Sequence, residues 1–117
     1  MSVTLEKLFI KAEQKGESNK NGRITEYDFG HVYKSDLQEQ WHVVNKSGRF
    51  ELRHWGTTIL ETVNGVIKDI YGESVSDRDA LNFTFNYLDL PYHVHYYPSC
   101  ETLELHSNDE EKIIKSI

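Results

Sequence analysis

Residues 49–88 read RFELRHWGTTILETVNGVIKDIYGESVSDRDALNFTFNYL, and the spacing of apolar residues and glycines along them decides the fold. Phe50 and Leu52 alternate with Glu51 and Arg53, the period of a strand with one buried face. Asn64-Gly65 is a preferred centre for a two-residue type I′ turn, because both central residues take positive φ. A hairpin centred there sets Val63 against Val66, Glu61 against Lys68 and Ile59 against Ile70: two aliphatic pairs and one opposite-charge pair. Ser76 reads as a helix N-cap, with Asp77 in the first turn and Asp79 three residues on. Leu81, Phe85 and Leu88, with Ala80 and Thr84 beside them, form the buried stripe of that helix.

Working outward, Leu5, Leu8, Phe9 and Ala12 fall at helical spacing and predict a helix over residues 3–15, stopped at Gly16. ESNKNG, residues 17–22, reads as a turn. A strand over 23–33 places Tyr27, Phe29, His31 and Tyr33 on one face. Residues 35–39 read as a polar connection, and 40–44 as a strand with Trp41 and Val43 on one face, followed by a turn at 45–48. With the strands ending at Trp55, Val63 and Tyr71, this predicts an antiparallel meander of about five strands. Near the C-terminus, Tyr92, Val94 and Tyr96 share a face with Leu103 and Leu105 if a loop around Pro98–Glu101 pairs Val94 with Leu105 and Tyr96 with Leu103, the register that burial selects. Asp109-Glu110-Glu111, with Lys112 and Lys115 after them, reads as a short terminal helix with its charges ordered along the dipole. The expected class is α+β: the meander, an N-terminal and a central helix, a C-terminal hairpin and a short last helix.

The chain of 117 residues is the size of one domain with one core. It has no run of about 20 apolar residues to span a bilayer, and MSVTLEKLF lacks the form of a signal peptide. Its one cysteine, Cys100, excludes an internal disulfide framework and fits a reducing, cytoplasmic setting. Residues 1–53 hold nine Lys/Arg and eight Asp/Glu, whereas residues 54–117 hold four and eleven, a net −7. That acidic half argues against direct contact with nucleic acid, since phosphate is bound mainly by Lys and Arg. It suits either plain solubility or a partner with a basic surface.

No catalytic motif is recognisable and no cofactor is called for. The C-terminal register sets His93 across from His106 and His95 across from Glu104. Strand residues two apart have Cα atoms about 6.7 Å apart, close enough for imidazoles to converge on zinc or iron. The competing reading of these four residues is a solvated polar strip, and it is the expectation here. Cys100 has no nearby base to activate it. Gly56-Thr57-Thr58 lacks the Lys of a phosphate loop. His54 and Trp55 flank a tight turn, where packing or ligand stacking are the alternatives. Phe83 and Tyr87 form a second aromatic stripe on the central helix, either covered by another element or open as a partner-binding patch.

At HWGTTIL (residues 54–60), Asn64-Gly65 and YGESVSDRDALN (residues 71–82), the chain resembles small uncharacterised proteins of bacteriophages and related mobile elements. In those, an aromatic/His-Gly-Thr-x-Ile turn, a hairpin and a Ser-led entry into an Asn-containing helix recur. The resemblance covers about residues 50–82 and carries no catalytic residues. It implies a fold element and a mobile-element setting. The resulting expectation is a non-enzymatic accessory protein that binds and blocks a host protein in the bacterial cytoplasm, such as a defence nuclease with a basic nucleic-acid channel, in the manner of anti-CRISPR proteins. Glu101, Glu104, Asp109, Glu110 and Glu111 are the expected contact residues, with Phe83 and Tyr87 as the apolar alternative. Competing expectations are a metal site at His93, His95, Glu104 and His106, and a small-ligand module using Trp55 and the aromatic strand Tyr27–Tyr33.

Overall fold

The computed structural model describes residues 3–28, 30–109 and 112–117. Met1, Ser2, Phe29, Glu110 and Glu111 lie outside the described residues, as do the side chains of Val3, residues 25–28 and 31–35, Lys112 and Lys115. The elements run α1 (Val3–Lys15), β1 (Glu17–Asp28), β2 (His31–Lys46), β3 (Arg49–His54), β4 (Thr57–Val63), β5 (Val66–Ile70), α2 (Val75–Tyr87), β6 (Tyr92–Tyr97), β7 (Thr102–Ser107) and β8 (Lys112–Ser116). Strands β1 to β5 form an antiparallel meander in chain order, and β6, β7 and β8 form a second sheet. The α+β class and the five-stranded meander agree with the sequence reading.

One hydrophobic cluster joins all the layers. Leu5, Leu8, Phe9 and Ala12 of α1 meet Trp41, Val43, Phe50, Leu52 and Leu60 of the sheet, together with Leu81 and Phe85 of α2 and Val94, Leu103 and Leu105 of the second sheet. Phe9 is at the junction, with its ring centroid 5.4 Å from Phe50, 5.5 Å from Phe83 and 5.0 Å from Tyr87. Polar contacts also fasten the helices. Ser18 Oγ donates to the Leu8 carbonyl at 2.6 Å, tying α1 to β1. Asn82 of α2 reaches β6 as a strand would: its amide donates to the Val94 carbonyl at 3.1 Å and accepts from the Val94 N–H at 2.7 Å.

The C-terminal hairpin has the predicted register: Val94 pairs Leu105, Tyr96 pairs Leu103, His93 pairs His106 and His95 pairs Glu104. Elsewhere the structure corrects the sequence reading. Residues 17–22 are strand rather than turn, and 35–39 are strand rather than connection. The strand read over 23–33 is broken near Gly30, whose φ is +80. Asn19, Asn21 and Gly22 are poor strand formers, but β1 is an edge strand with a bulge after Lys20, and its pairing to β2 overrides propensity. Asn64-Gly65 do centre the β4–β5 turn, with Val63 against Val66. A bulge between Glu61 and Thr62 then sets Leu60, not Ile59, against Ile70, and Asp69, not Lys68, against Glu61. Glu61 takes its cation from β3 instead, with Arg49 Nε donating at 3.0 Å. The terminal helix is a strand, β8, paired with β7. The β-branched pair Ile113-Ile114 favours that state once β7 offers an unpaired edge.

The helix cap also moves. Ser74, not Ser76, is the N-cap of α2: its backbone is extended (φ −141, ψ 165) and its Oγ accepts the Asp77 N–H at 3.1 Å. Asp77, at the third helical position, reaches back past the cap and accepts the Glu73 N–H at 3.1 Å, which fastens the entry segment to the first turn of α2.

Candidate functional site: an aromatic and carboxylate cleft at the entry to α2

Three turns of the main sheet share one backbone shape, with two consecutive positive φ values. They are Ser47-Gly48 (55 and 77), Trp55-Gly56 (51 and 82) and Asn64-Gly65 (51 and 80). Asn suits the left-handed region because its short polar side chain can bond locally, whereas a bulky side chain is held there at a strain of about 1–2 kcal/mol. Trp55 is therefore the residue that local preference would not choose. Its indole is nonetheless seated. Its backbone N–H donates to the Gln40 carbonyl at 2.8 Å. A Cβ on Gly22 would stand 2.8 Å from Trp55 Cη2, so the absence of a side chain at Gly22 makes room for the ring. The Trp55 residue remains 39% exposed.

Facing this turn is the segment from Tyr71 to Ser74 that carries the chain from β5 into α2. Gly72 is buried there, and a Cβ on it would collide with Leu103. The two segments enclose a cleft of about 310 Å³, whose walls include His54, Trp55, Tyr71, Glu73, Ser76 and Asp77. Tyr71 is 42% exposed, and its hydroxyl donates to Glu73 Oε2 at 2.9 Å. That carboxylate holds the Tyr71 phenol above its ordinary pKa.

At the back of the cleft, His54 lies flat on Trp41, with centroids 3.9 Å apart and planes 6° from parallel. His54 Nδ1 is 2.8 Å from Asp77 Oδ1, and Asp77 is only 5% exposed. Burial opposes ionisation of Asp77, but the contacts from His54, the Glu73 N–H and the Ser74 cap outweigh it and hold the carboxyl below its ordinary value. The contact of Nδ1 with the Asp77 carboxylate fixes the orientation of the His54 ring. Ser74 Oγ is occupied as the helix cap, and no hydroxyl among the described residues bonds His54. The pair thus locks the floor of the cleft and does not complete a nucleophilic triad. The lining of this cleft contains no Lys or Arg among the described residues.

The residues expected from the sequence lie elsewhere and do not converge. Glu101 is exposed in the β6–β7 turn and Asp109 is exposed after β7. Glu104 is half-buried between the two, accepting from the Tyr97 hydroxyl at 2.6 Å and lying 3.3 Å from His106 Nε2. His93 and His106 stack with centroids 4.9 Å apart, and His93 Nδ1 is in contact with Asn108 Oδ1. Among the described residues no three of His, Cys, Asp and Glu are grouped so as to hold a metal ion. Phe83 and Tyr87 do not form an open patch: both are half-buried against Phe9 of α1, the covered one of the two alternatives. Burial, with the adjoining Glu13 carboxylate that accepts from its hydroxyl, pushes the Tyr87 pKa up to about 12. Cys100 is exposed, with Sγ 3.1 Å from Thr102 Oγ1.

Sequence reasoning flagged His54 and Trp55 but missed Asp77 as the partner of His54, and missed Tyr71 and Glu73 altogether. The available signal was Trp in a position of a Gly turn that favours Asn. No described helix is long and apolar enough to cross a membrane. In comparisons with known proteins, no protein-family model, no curated protein and no solved structure matches the chain.

Proposed function

We propose that this chain is a non-enzymatic binding protein that covers a basic surface of a host protein in the bacterial cytoplasm, in the manner of the small phage and mobile-element proteins it resembles. The class of partner favoured is a nucleic-acid-binding nuclease, whose channel is basic by necessity. The observation that carries this reading is the state of the acidic half. Asp89, Glu101 and Asp109 are exposed and have no ion-pair partner among the described residues, and Glu73 is exposed with only a tyrosine hydroxyl on it. Arg78, one of the four cations of residues 54–117, is already paired with Asp79 at 2.9 Å. Exposed carboxylates left open in this way raise the local attraction for a cationic surface and steer its approach.

The test is competition. A host protein captured on the immobilised chain is challenged with duplex DNA and guide-type RNA. The reading expects nucleic acid and the chain to exclude one another. A captured partner that binds both at once, with undiminished affinity, contradicts it.

A further inference from the structure

We propose that the cleft between Trp55 and Tyr71 is a receptor for one cationic side chain of the partner, an arginine guanidinium, with Glu73 as its counter-ion. The inference rests on the partner reading above and specifies the contact at its centre. Three independent observations meet there. Two aromatic side chains stay substantially exposed on the wall of one cavity, and exposed aromatic faces attract cations through the ring quadrupole. Among the described residues, the carboxylates of Glu73 and Asp77 are the formally charged side chains on that wall, and His54 already contacts Asp77. Trp55 is held in a left-handed turn that the chain elsewhere fills with Ser47 and Asn64, and local rules broken in this way concentrate at functional positions.

The size and the chemistry select the ligand. A volume of about 310 Å³ is at the small end for ligand sites and suits a single long side chain. Asp77 is committed to His54 and to the Glu73 N–H. Among the described residues Glu73 receives only the Tyr71 hydroxyl, on Oε2, which leaves its other acceptor positions for a donor in the cleft. A planar guanidinium satisfies both demands at once, stacking on an indole or phenol ring while donating to a carboxylate. A compact ammonium does this less well.

The test titrates the full-length chain with an arginine-containing basic peptide and with its citrulline counterpart, which keeps the shape and removes the charge. The readout is the two indole N–H resonances of Trp41 and Trp55. The expected result is a saturable shift of the Trp55 resonance by the arginine peptide, with citrulline weaker by roughly tenfold or more. Glu73→Gln should weaken the arginine peptide by a similar factor, and Trp55→Asn should abolish its binding while keeping the amide spectrum of a folded chain. Equal binding of the two peptides, or no response of Trp55 to either, overturns the proposal. A lysine peptide that binds more tightly than arginine also overturns it. If the captured partner still binds the Trp55→Asn chain with unchanged affinity and salt dependence, the cleft proposal fails while the acidic-surface reading stands. Loss of salt dependence in the unmodified chain removes the acidic-surface reading itself.

Discussion

Asp77 joins three parts of the molecule through one carboxylate: the end of β3 at His54, the entry segment at Glu73 and the first turn of α2. Glu51 does comparable work on β3, between the core residues Phe50 and Leu52. It is 3% exposed and is ion-paired with both Arg49 and Arg53, with Thr58 Oγ1 donating at 3.3 Å. At both sites burial raises the carboxyl pKa, and the bonds and charges around it lower it by more. Folded values below those of the unfolded chain mean that these groups stabilise the protein above the ordinary values of 4.5 for Glu and 3.8 for Asp. The contribution is lost as pH falls through the lower folded values. Urea midpoints should therefore hold near neutrality and fall progressively from about pH 5 to about pH 2. Glu51→Gln and Asp77→Asn should each be less stable at pH 7, by about 1–3 kcal/mol, and should show a flatter acid limb. A wild-type midpoint that does not change over that range would count against both assignments.

Among the elements, what the sequence disclosed depended on how strongly a face was buried. The stripes of α1 and α2 and the register of the C-terminal hairpin were legible because each places its apolar residues on one side, and a one-residue slip would expose them all. The Asn64-Gly65 turn was legible because few pairs suit that backbone. The bulge at Glu61 was not, since nothing local distinguishes Lys68 as the extra residue. The edge strand β1 was missed because long-range pairing with β2 decides its state. The cap at Ser74 was missed because Ser76 two residues later carries the same signal. Two variants separate those serines: Ser74→Ala should cost about 1 kcal/mol, and Ser76→Ala should stay within about 0.5 kcal/mol. Equal effects in denaturant titrations would dispute the cap. Asn82 gives α2 its hold on the second sheet. Asn82→Ala should cost about 1–3 kcal/mol, because the Val94 N–H and carbonyl both lose their partner. Hydrogen exchange at the Val94 amide should accelerate with it, and unchanged exchange would show that the edge of β6 is satisfied another way.

At the scale of the whole molecule the cleft was illegible for a simple reason. Its walls come from the β3–β4 turn and the β5–α2 connection, which are neighbours only once the meander has folded and α2 has docked. The charge asymmetry, in contrast, was plain in the sequence, although the residues expected to express it changed. Glu104 is engaged by Tyr97 and His106, whereas Glu73, Glu101 and Asp109 are among the exposed carboxylates of the described residues. The most direct test of the central claim is the association rate with the captured partner as a function of salt. The chain and a triple variant carrying Glu73→Lys, Glu101→Lys and Asp109→Lys are compared while both remain folded. Between about 0.01 M and 0.15 M salt the screening length falls from about 30 Å to about 8 Å. The unmodified chain should then associate roughly tenfold more slowly or worse, and the variant should start slow and lose that dependence. Equal rates for the two chains at every salt concentration would contradict the proposal that the exposed carboxylates of the acidic half recognise a basic partner.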